Sequence, residues 1–285
     1  DHTRQLGKTL AKIAAEKAGI IKRRIPVVTG VCQRDPFEVI EEIAKSQDCP
    51  VIALNRDFFY EYSGRTPQGV NSDGHWGTSL FDYRQLTGGQ PCQLADVEVA
   101  MLGRHQAANA AVAIATLCQL QRLGWNIDES AIRAGLRAAR CPARFEIVSR
   151  QPLVILDAAH NPASVAALQD LLDEQFSGRP RHLIFATSVD KDVASMLEKL
   201  LSGFQRVVMT RYLNNPRAMD PERVAGVARQ IADRKGWSEL QIEVLPDPAS
   251  AWSHVRSLVA DDGMICVAGS FFLAAEIRES LDGVN

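Results

Sequence analysis

The sequence has no paired cysteines, no excess of positive charge, no glycine-rich phosphate loop and no long apolar run. Its six cysteines, Cys32, Cys49, Cys92, Cys118, Cys141 and Cys266, are scattered singly. That scatter suits neither a zinc motif nor a disulfide framework, and it fits a reducing cytoplasm. Lys plus Arg number 32 against 34 Asp plus Glu, so no net positive field draws in nucleic acid or an anionic membrane surface. No apolar stretch approaches the roughly 18 residues of a membrane span. Gly7-Lys8-Thr9 imitates the end of a Walker A loop, but His2 stands where the opening glycine of that motif belongs. No Gly-x-Gly-x-x-Gly occurs either.

What is present is the composition of a globular protein. The 285 residues are 46% hydrophobic and 23% charged, enough for a well-buried core, and the length favours two domains over one. The polar opening Asp1-His2-Thr3-Arg4-Gln5, without methionine, reads as a loop before a helix and as part of something longer.

Apolar residues at Leu6, Leu10, Ile13 and Ile20/Ile21 predict a helix with one buried stripe, and Lys17 is expected on that stripe. A β-α-β run follows, with strands at 26–29 and 50–54 around a helix at 35–47 that an Asp-Pro pair opens. Between Phe58 and Val99 short alternating segments with Gly, Asn and Asp turns predict a small antiparallel patch. Helices at about 106–123 and 129–139 complete this half. Cys141-Pro142-Ala143-Arg144 breaks the helical pattern, which divides the chain into 1–142 and 143–285. Beyond it a strand at 145–148 precedes strands at 154–156, 183–186, 207–210, 242–245 and 264–268. Helices at about 163–174, 192–201, 220–234, 248–259 and 271–282 alternate with them. Such alternation predicts a mainly parallel sheet with helices on both faces and ligands at the strands' carboxyl ends.

The segment Val154-Ile155-Leu156-Asp157-Ala158-Ala159-His160-Asn161-Pro162 is the most informative. An apolar strand delivers Asp157 at its carboxyl end, and Asn161 with Pro162 reads as a helix cap. A carboxylate there can hold a ribose hydroxyl, and His160 near a helix N-terminus can contact an anion or move a proton. Both also serve as ordinary turn-capping groups. Lys17, among apolar neighbours, is a candidate for a lowered pKa and carbamate formation, against the simpler reading of a lysine that extends its charge to solvent. Asn109 is expected as a buried amide suited to an adenine edge, or to helix capping or a contact between helices. Arg144, at the domain boundary, could grip phosphate through its planar fork or make a surface ion pair. Gly269-Ser270, between a strand and a helix, offers backbone N–H groups to an anion or a plain cap.

Four motifs in order resemble the folylpolyglutamate synthase/dihydrofolate synthase family of the Mur-ligase superfamily. Asp1-His2-Thr3, Leu6-Gly7 and Glu16-Lys17-Ala18-Gly19-Ile20 resemble its metal-site histidine and carbamylated lysine. His105-Gln106-x-x-Asn109-Ala110-Ala111 is similar to its ATP-binding asparagine motif. Pro142-Ala143-Arg144-Phe145-Glu146 resembles its Pro-Gly-Arg-Phe junction, with Ala143 in place of the glycine. Asp157-Ala158-Ala159-His160-Asn161-Pro162 resembles the start of its C-terminal domain.

The resemblance implies the C-terminal half of a Mur-ligase-type ATP-binding domain (1–142) followed by a Rossmann-like α/β domain (143–285). It implies that Asn109, Arg144 and Asp157 contact ATP, that His2 helps hold Mg2+, that Lys17 carries the carbamate and that His160 serves the catalytic cleft. The implied reaction joins L-glutamate to a pteroate or folate carboxylate through an acyl phosphate, in a cytoplasmic monomer with no nucleic-acid or membrane partner. The family's Gly-rich loop falls before Asp1, so a fragment inactive by itself is expected. The alternatives are another Mur-type amino-acid ligase acting on a cell-wall precursor, and a non-catalytic nucleotide-binding remnant.

Overall fold

The computed structural model of the protein describes residues 9–64, 77–87 and 92–282. It divides into two compact units between Arg140 and Cys141.

In the first unit, helix α1 (Leu10–Ala18) starts at Thr9, whose hydroxyl accepts the Lys12 N–H at 3.3 Å. The threonine of the Walker-like Gly-Lys-Thr triplet is thus a helix cap. Strands β1 (Val27–Thr29) and β2 (Val51–Ala53) pair in parallel around helix α2 (Arg34–Ser46), as the β-α-β pattern requires. Leu54 continues the pairing by donating its N–H to the Thr29 carbonyl at 3.0 Å, and it makes an isolated bridge to Phe58.

The expected stripe on α1 is corrected by the structure. Leu10 and Ile20 are exposed, at 59% and 81%, while the buried residues are Ala14 and Ala18. Helix α1 packs on α2, and small residues one turn apart allow that close approach. Lys17 precedes Ala18 and so points about 100° away from that seam; it is exposed. Leu6 lies outside the described residues.

Strands β3 (Phe58–Tyr62), β4 (Ser79–Gln85) and β5 (Cys92–Val99) form an antiparallel meander. In β4 the buried residues alternate, Ser79, Phe81, Tyr83 and Gln85, so that one face meets helix α3 (Arg104–Arg122). That helix presents Ala107, Ala110, Ala111, Ile114, Ala115 and Cys118 to Phe58, Phe81, Tyr83 and Val97. Gly103, at φ 107°, begins it, and its N–H is held by the Ser79 hydroxyl at 2.8 Å. Helix α4 (Glu129–Ala138), capped by Asp128, packs Ile132 into the same cluster.

The second unit is a six-stranded sheet in the order β10-β9-β8-β11-β7-β6. Its strands are β6 (Glu146–Arg150), β7 (Leu153–Leu156), β8 (Arg181–Phe185), β9 (Arg206–Met209), β10 (Gln241–Val244) and β11 (Met264–Ala268). All neighbours are parallel except β6 with β7. The expected strand at 145–148 begins one residue later, because Phe145 adopts a left-handed φ of 48°, outside the extended region of regular strands.

Helices α5 (Pro162–Gln175), α6 (Val193–Leu200) and α7 (Pro221–Lys235) pack in sequence against one another. Helices α8 (Pro248–Leu258) and α9 (Phe271–Asp282) pair with each other. The two groups differ in direction: the chain moves outward through β8, β9 and β10 and then returns to place β11 between β7 and β8. With right-handed crossovers, that reversal sends α8 to the opposite face. Val154, Leu156, Ile184, Val208, Ile265 and Val267 face Trp252, Val255, Leu273 and Ile277 across this second face. Strands β7 and β11 are buried throughout, which explains their unbroken apolar runs. Each fully buried aliphatic side chain contributes about 1.5–3 kcal/mol relative to exposure. The site below rests on that rigid layer.

Candidate functional site

The carboxyl end of β7 is the organising point. Its last residue hands on to Asp157, whose N–H continues the sheet by donating to the Val267 carbonyl at 2.9 Å. Asp157 is 7% exposed. One carboxylate oxygen accepts the Phe145 N–H at 2.8 Å and the other accepts the Ala159 N–H at 2.7 Å. Burial pushes this carboxyl up to about 6; the two N–H donors, then Arg144 and His160, pull the other way. At neutral pH Asp157 is therefore an anion held by backbone dipoles, with lone pairs left for a ligand hydroxyl.

The same carboxylate fixes the turn that carries Arg144. The Ala143 carbonyl accepts the Ala158 N–H at 2.8 Å, and Ala143 N–H donates to Glu146 at 2.8 Å. Ala143 and Phe145 both hold left-handed backbone, at φ 55° and 48°. This conformation costs a residue with a Cβ about 1–2 kcal/mol, and the four backbone bonds around it supply the compensation. The alanine at 143, where the family motif has glycine, thus occupies a position whose φ suits glycine. Arg144 is half-buried, with its guanidinium carbon 4.9 Å from the centre of the Phe271 ring.

His160 completes this end of the sheet. Its Nδ1 lies 2.8 Å from the Ala158 carbonyl, so the neutral ring carries its hydrogen there and any exchanged proton is carried on Nε2. The ring stands 6.2 Å from that of Phe271. Asn161 caps α5 as expected: its side chain accepts the Ser164 N–H at 2.9 Å, and the Ser164 hydroxyl accepts the Asn161 N–H in return. Gly269 (φ 105°) turns β11 toward α9, and the Ser270 hydroxyl is occupied by the Phe272 N–H at 3.1 Å.

Arg144, Asp157, His160 and Ser270 are thus gathered at one end of one sheet. The other candidates are elsewhere. Asn109 and Lys17 lie in the first unit, and His2 lies outside the described residues. Asn109 corrects the expectation of a buried amide: it is exposed, on the side of α3 away from Ala107 and Ala111, and its Nδ2 donates to Gln106 at 3.2 Å. Among the described residues no group of His, Cys, Asp and Glu could hold a metal ion.

Sequence reasoning missed Thr187 and Thr210, the first polar residues beyond β8 and β9. Both are fully buried, at 0% and 1%, and their hydroxyls have no hydrogen-bond partner among the described residues. Nearby, Ser188 Oγ and the Tyr212 hydroxyl lie 2.6 Å apart. A threonine directly after an apolar run was the available signal, since the residue that ends such a run in this sheet type faces the ligand crevice.

This sheet, its capped β7–α5 turn and the guanidinium beside it define the glutamate-ligase domain of a Mur ligase. Residues 143–271 match the family model described as Mur ligase, glutamate ligase domain. The chain is 32% identical over 284 residues to a folylpolyglutamate synthase of Lacticaseibacillus casei, covering 99% of this chain and 60% of that protein. The crystal structure of Mycobacterium tuberculosis folylpolyglutamate synthase complexed with ADP and AMPPCP superposes with a TM-score of 0.82 at 30% identity, covering 100% of this chain and 62% of that one. A bifunctional folylpolyglutamate synthase/dihydrofolate synthase from Yersinia pestis, complexed with AMPPNP and a manganese ion, gives 0.77 at 26% identity, with 99% and 59% covered. The chain belongs to the folylpolyglutamate synthase/dihydrofolate synthase family. It spans 60% of the length of the Lacticaseibacillus casei protein and a smaller share of several other curated relatives.

Proposed function

We propose that the chain is part of an ATP-dependent ligase that joins L-glutamate to a pteroate or folate carboxylate through an acyl phosphate. The observation that carries this reading is the backbone-held Asp157 carboxylate next to the stacked Arg144 guanidinium. An anion that can accept a ribose hydroxyl and a cation that can meet phosphate oxygens suit the two ends of a nucleotide. Arg144 would offset the charge that builds on the transferring phosphoryl group, where catalysis of this type gains most. His160, with its hydrogen fixed on Nδ1, would take or give a proton at Nε2. The unpartnered hydroxyls of Thr187 and Thr210, with Ser188 close by, are suited to a carboxylate such as that of the incoming amino acid.

Magnesium, when bound, would neutralise phosphate charge. The roles of His2 as its ligand, Lys17 as a carbamate and Asn109 at the adenine edge rest on the family resemblance. So do residues 1–142 as part of an ATP-binding domain, residues 143–285 as a Rossmann-like C-terminal domain, and a cytoplasmic monomer acting on small molecules only. No helix among the described residues is long and apolar enough to cross a membrane.

The chain has no Walker A loop, so catalysis is assigned to the complete protein and nucleotide contact to the chain. Calorimetric titration with a non-hydrolysable ATP analogue and magnesium tests this. Binding that Arg144→Ala weakens by about tenfold or more supports the reading; equal affinity of the two proteins overturns it. In the complete protein, glutamate-dependent release of phosphate with a folate or pteroate acceptor, and none with a cell-wall precursor, separates this ligase from other Mur-type enzymes.

A further inference from the structure

Helix α9 touches the Arg144 turn at two places. Phe271, its first residue, lies under the Arg144 guanidinium at 4.9 Å. Arg278, two helical turns along the same face, is ion-paired with Glu146 Oε2. That oxygen is also the acceptor of the Ala143 N–H at 2.8 Å. One helix therefore grips both the side chain of Arg144 and the backbone of the residue before it.

Neither contact is explained by the core. Phe271 is 44% exposed and stays outside the apolar cluster, whereas its neighbour Phe272 packs against that cluster and stands 5.3 Å from Tyr212. The Arg278–Glu146 pair is also partly exposed, and a surface ion pair of this kind adds little stability. The pair and the ring do have a common target. Ala143 and Phe145 flank Arg144 in left-handed backbone, and such strain persists only where surrounding contacts over-determine it.

The choice of an aromatic partner for Arg144 has a chemical consequence. A carboxylate partner would consume guanidinium N–H donors, whereas a ring face attracts the cation through its quadrupole and leaves the in-plane donors for oxygen atoms of a ligand. The ring thus orients the fork without occupying it.

We infer that Phe271 and the Glu146–Arg278 pair are positioning residues that pre-orient Arg144 for a nucleotide phosphate. This rests on the reading of Arg144 as a phosphate-contacting group. Phe271 acts on the side chain, and Glu146 with Arg278 acts on the turn.

A double-mutant cycle tests it, with magnesium and a non-hydrolysable ATP analogue as probe. Phe271→Ala is expected to weaken binding by about fivefold to tenfold without a change in melting temperature, and Phe271→Tyr to restore it. In an Arg144→Ala background, Phe271→Ala should cause no further loss. Losses that multiply independently, or a Phe271→Ala protein that binds normally while Arg144→Ala does not, overturn the inference. A second measurement needs no nucleotide. The Arg144 side-chain N–H resonance should carry a ring-current shift that Phe271→Ala removes, and Arg278→Ala should speed amide exchange at Ala143 by about tenfold or more. Absence of both effects overturns the positioning role by itself. If both appear while Arg144→Ala leaves nucleotide affinity unchanged, the positioning stands and the nucleotide reading fails.

Discussion

The two units carry their candidate residues in opposite ways. In the second, Asp157 is buried and held by two backbone donors, and Arg144 sits on a turn tied down by Ala158, Glu146 and Asp157. In the first, Lys17 and Asn109 are exposed on helix surfaces, and the Asn109 amide nitrogen donates to Gln106, one turn earlier on its own helix. One site is pre-organised by the fold; the other residues are presented by it. Changes in the second unit should therefore couple stability to ligand contact, whereas changes in the first should leave them separate.

The sharpest test of that contrast uses two glycines of similar backbone. Gly269 and Gly124 have φ of 105° and 92°. A Cβ on Gly269 would lie 2.3 Å from the Ala186 carbonyl oxygen and 2.7 Å from the Phe185 ring, while one on Gly124 would meet nothing within 4 Å. Gly269→Ala should thus cost at least about 3 kcal/mol or prevent folding, and Gly124→Ala only about 1–2 kcal/mol. Chemical denaturation of both variants measures this. Equal losses would mean that the strand ends around β11 are looser than the geometry requires.

Next in size is Asp157→Ala. It removes the acceptor of two buried N–H groups, each worth about 1–3 kcal/mol when left unpaired, and it should abolish nucleotide binding as well. A loss partly offset by relief of the buried charge, near 2 kcal/mol overall, is the expected order. A variant as stable as the parent would show that the Phe145 and Ala159 amides find water instead.

The same carboxylate gives a smaller, signed effect of pH. Its pKa is raised from 3.8 to about 6, so the folded state binds a proton that the unfolded chain has already released. Its contribution to stability is therefore full below the unfolded value and is lost as pH rises through about 6. Measured against Asp157→Asn, the parent should gain relative stability as pH falls from about 7 to about 4. No difference with pH would place the carboxylate in a solvated, ordinary setting, and a trend in the other direction would mean that its N–H donors and Arg144 outweigh burial.

Much of this second unit was legible in advance because its physics is local. Unbroken apolar runs gave β7 and β11, and Asn161-Pro162 gave the cap of α5 with its position. The Arg144 turn was less so. No glycine announces the left-handed residues Ala143 and Phe145, and the Arg278–Glu146 contact joins positions 132 residues apart. Only tertiary packing brings α9 there. On α1 the error had a different cause: large apolar residues suggested the stripe, yet Ala14 and Ala18 form the seam because close helix approach favours small side chains. Asn109 misled in a similar way, since an Ala-rich surrounding in sequence covers both the buried and the exposed side of α3.

The smallest expected effects on stability belong to the exposed pair, and they complete the contrast. Lys17→Ala and Asn109→Ala should each change the unfolding free energy by no more than about 0.5 kcal/mol, as surface substitutions usually do, since Ala is the stronger helix former at both positions. Their consequences should appear only in function: Lys17→Ala in the complete protein should remove most ligase activity, and Asn109→Ala should weaken binding of the ATP analogue. Thermal melting alongside turnover separates the two. If Lys17→Ala melts normally and also turns over normally, the lysine is an ordinary solvated residue on α1. If it melts well below the parent, α1 is packed through the stem of that side chain, and the distinction between a pre-organised and a merely presented site does not hold for this helix.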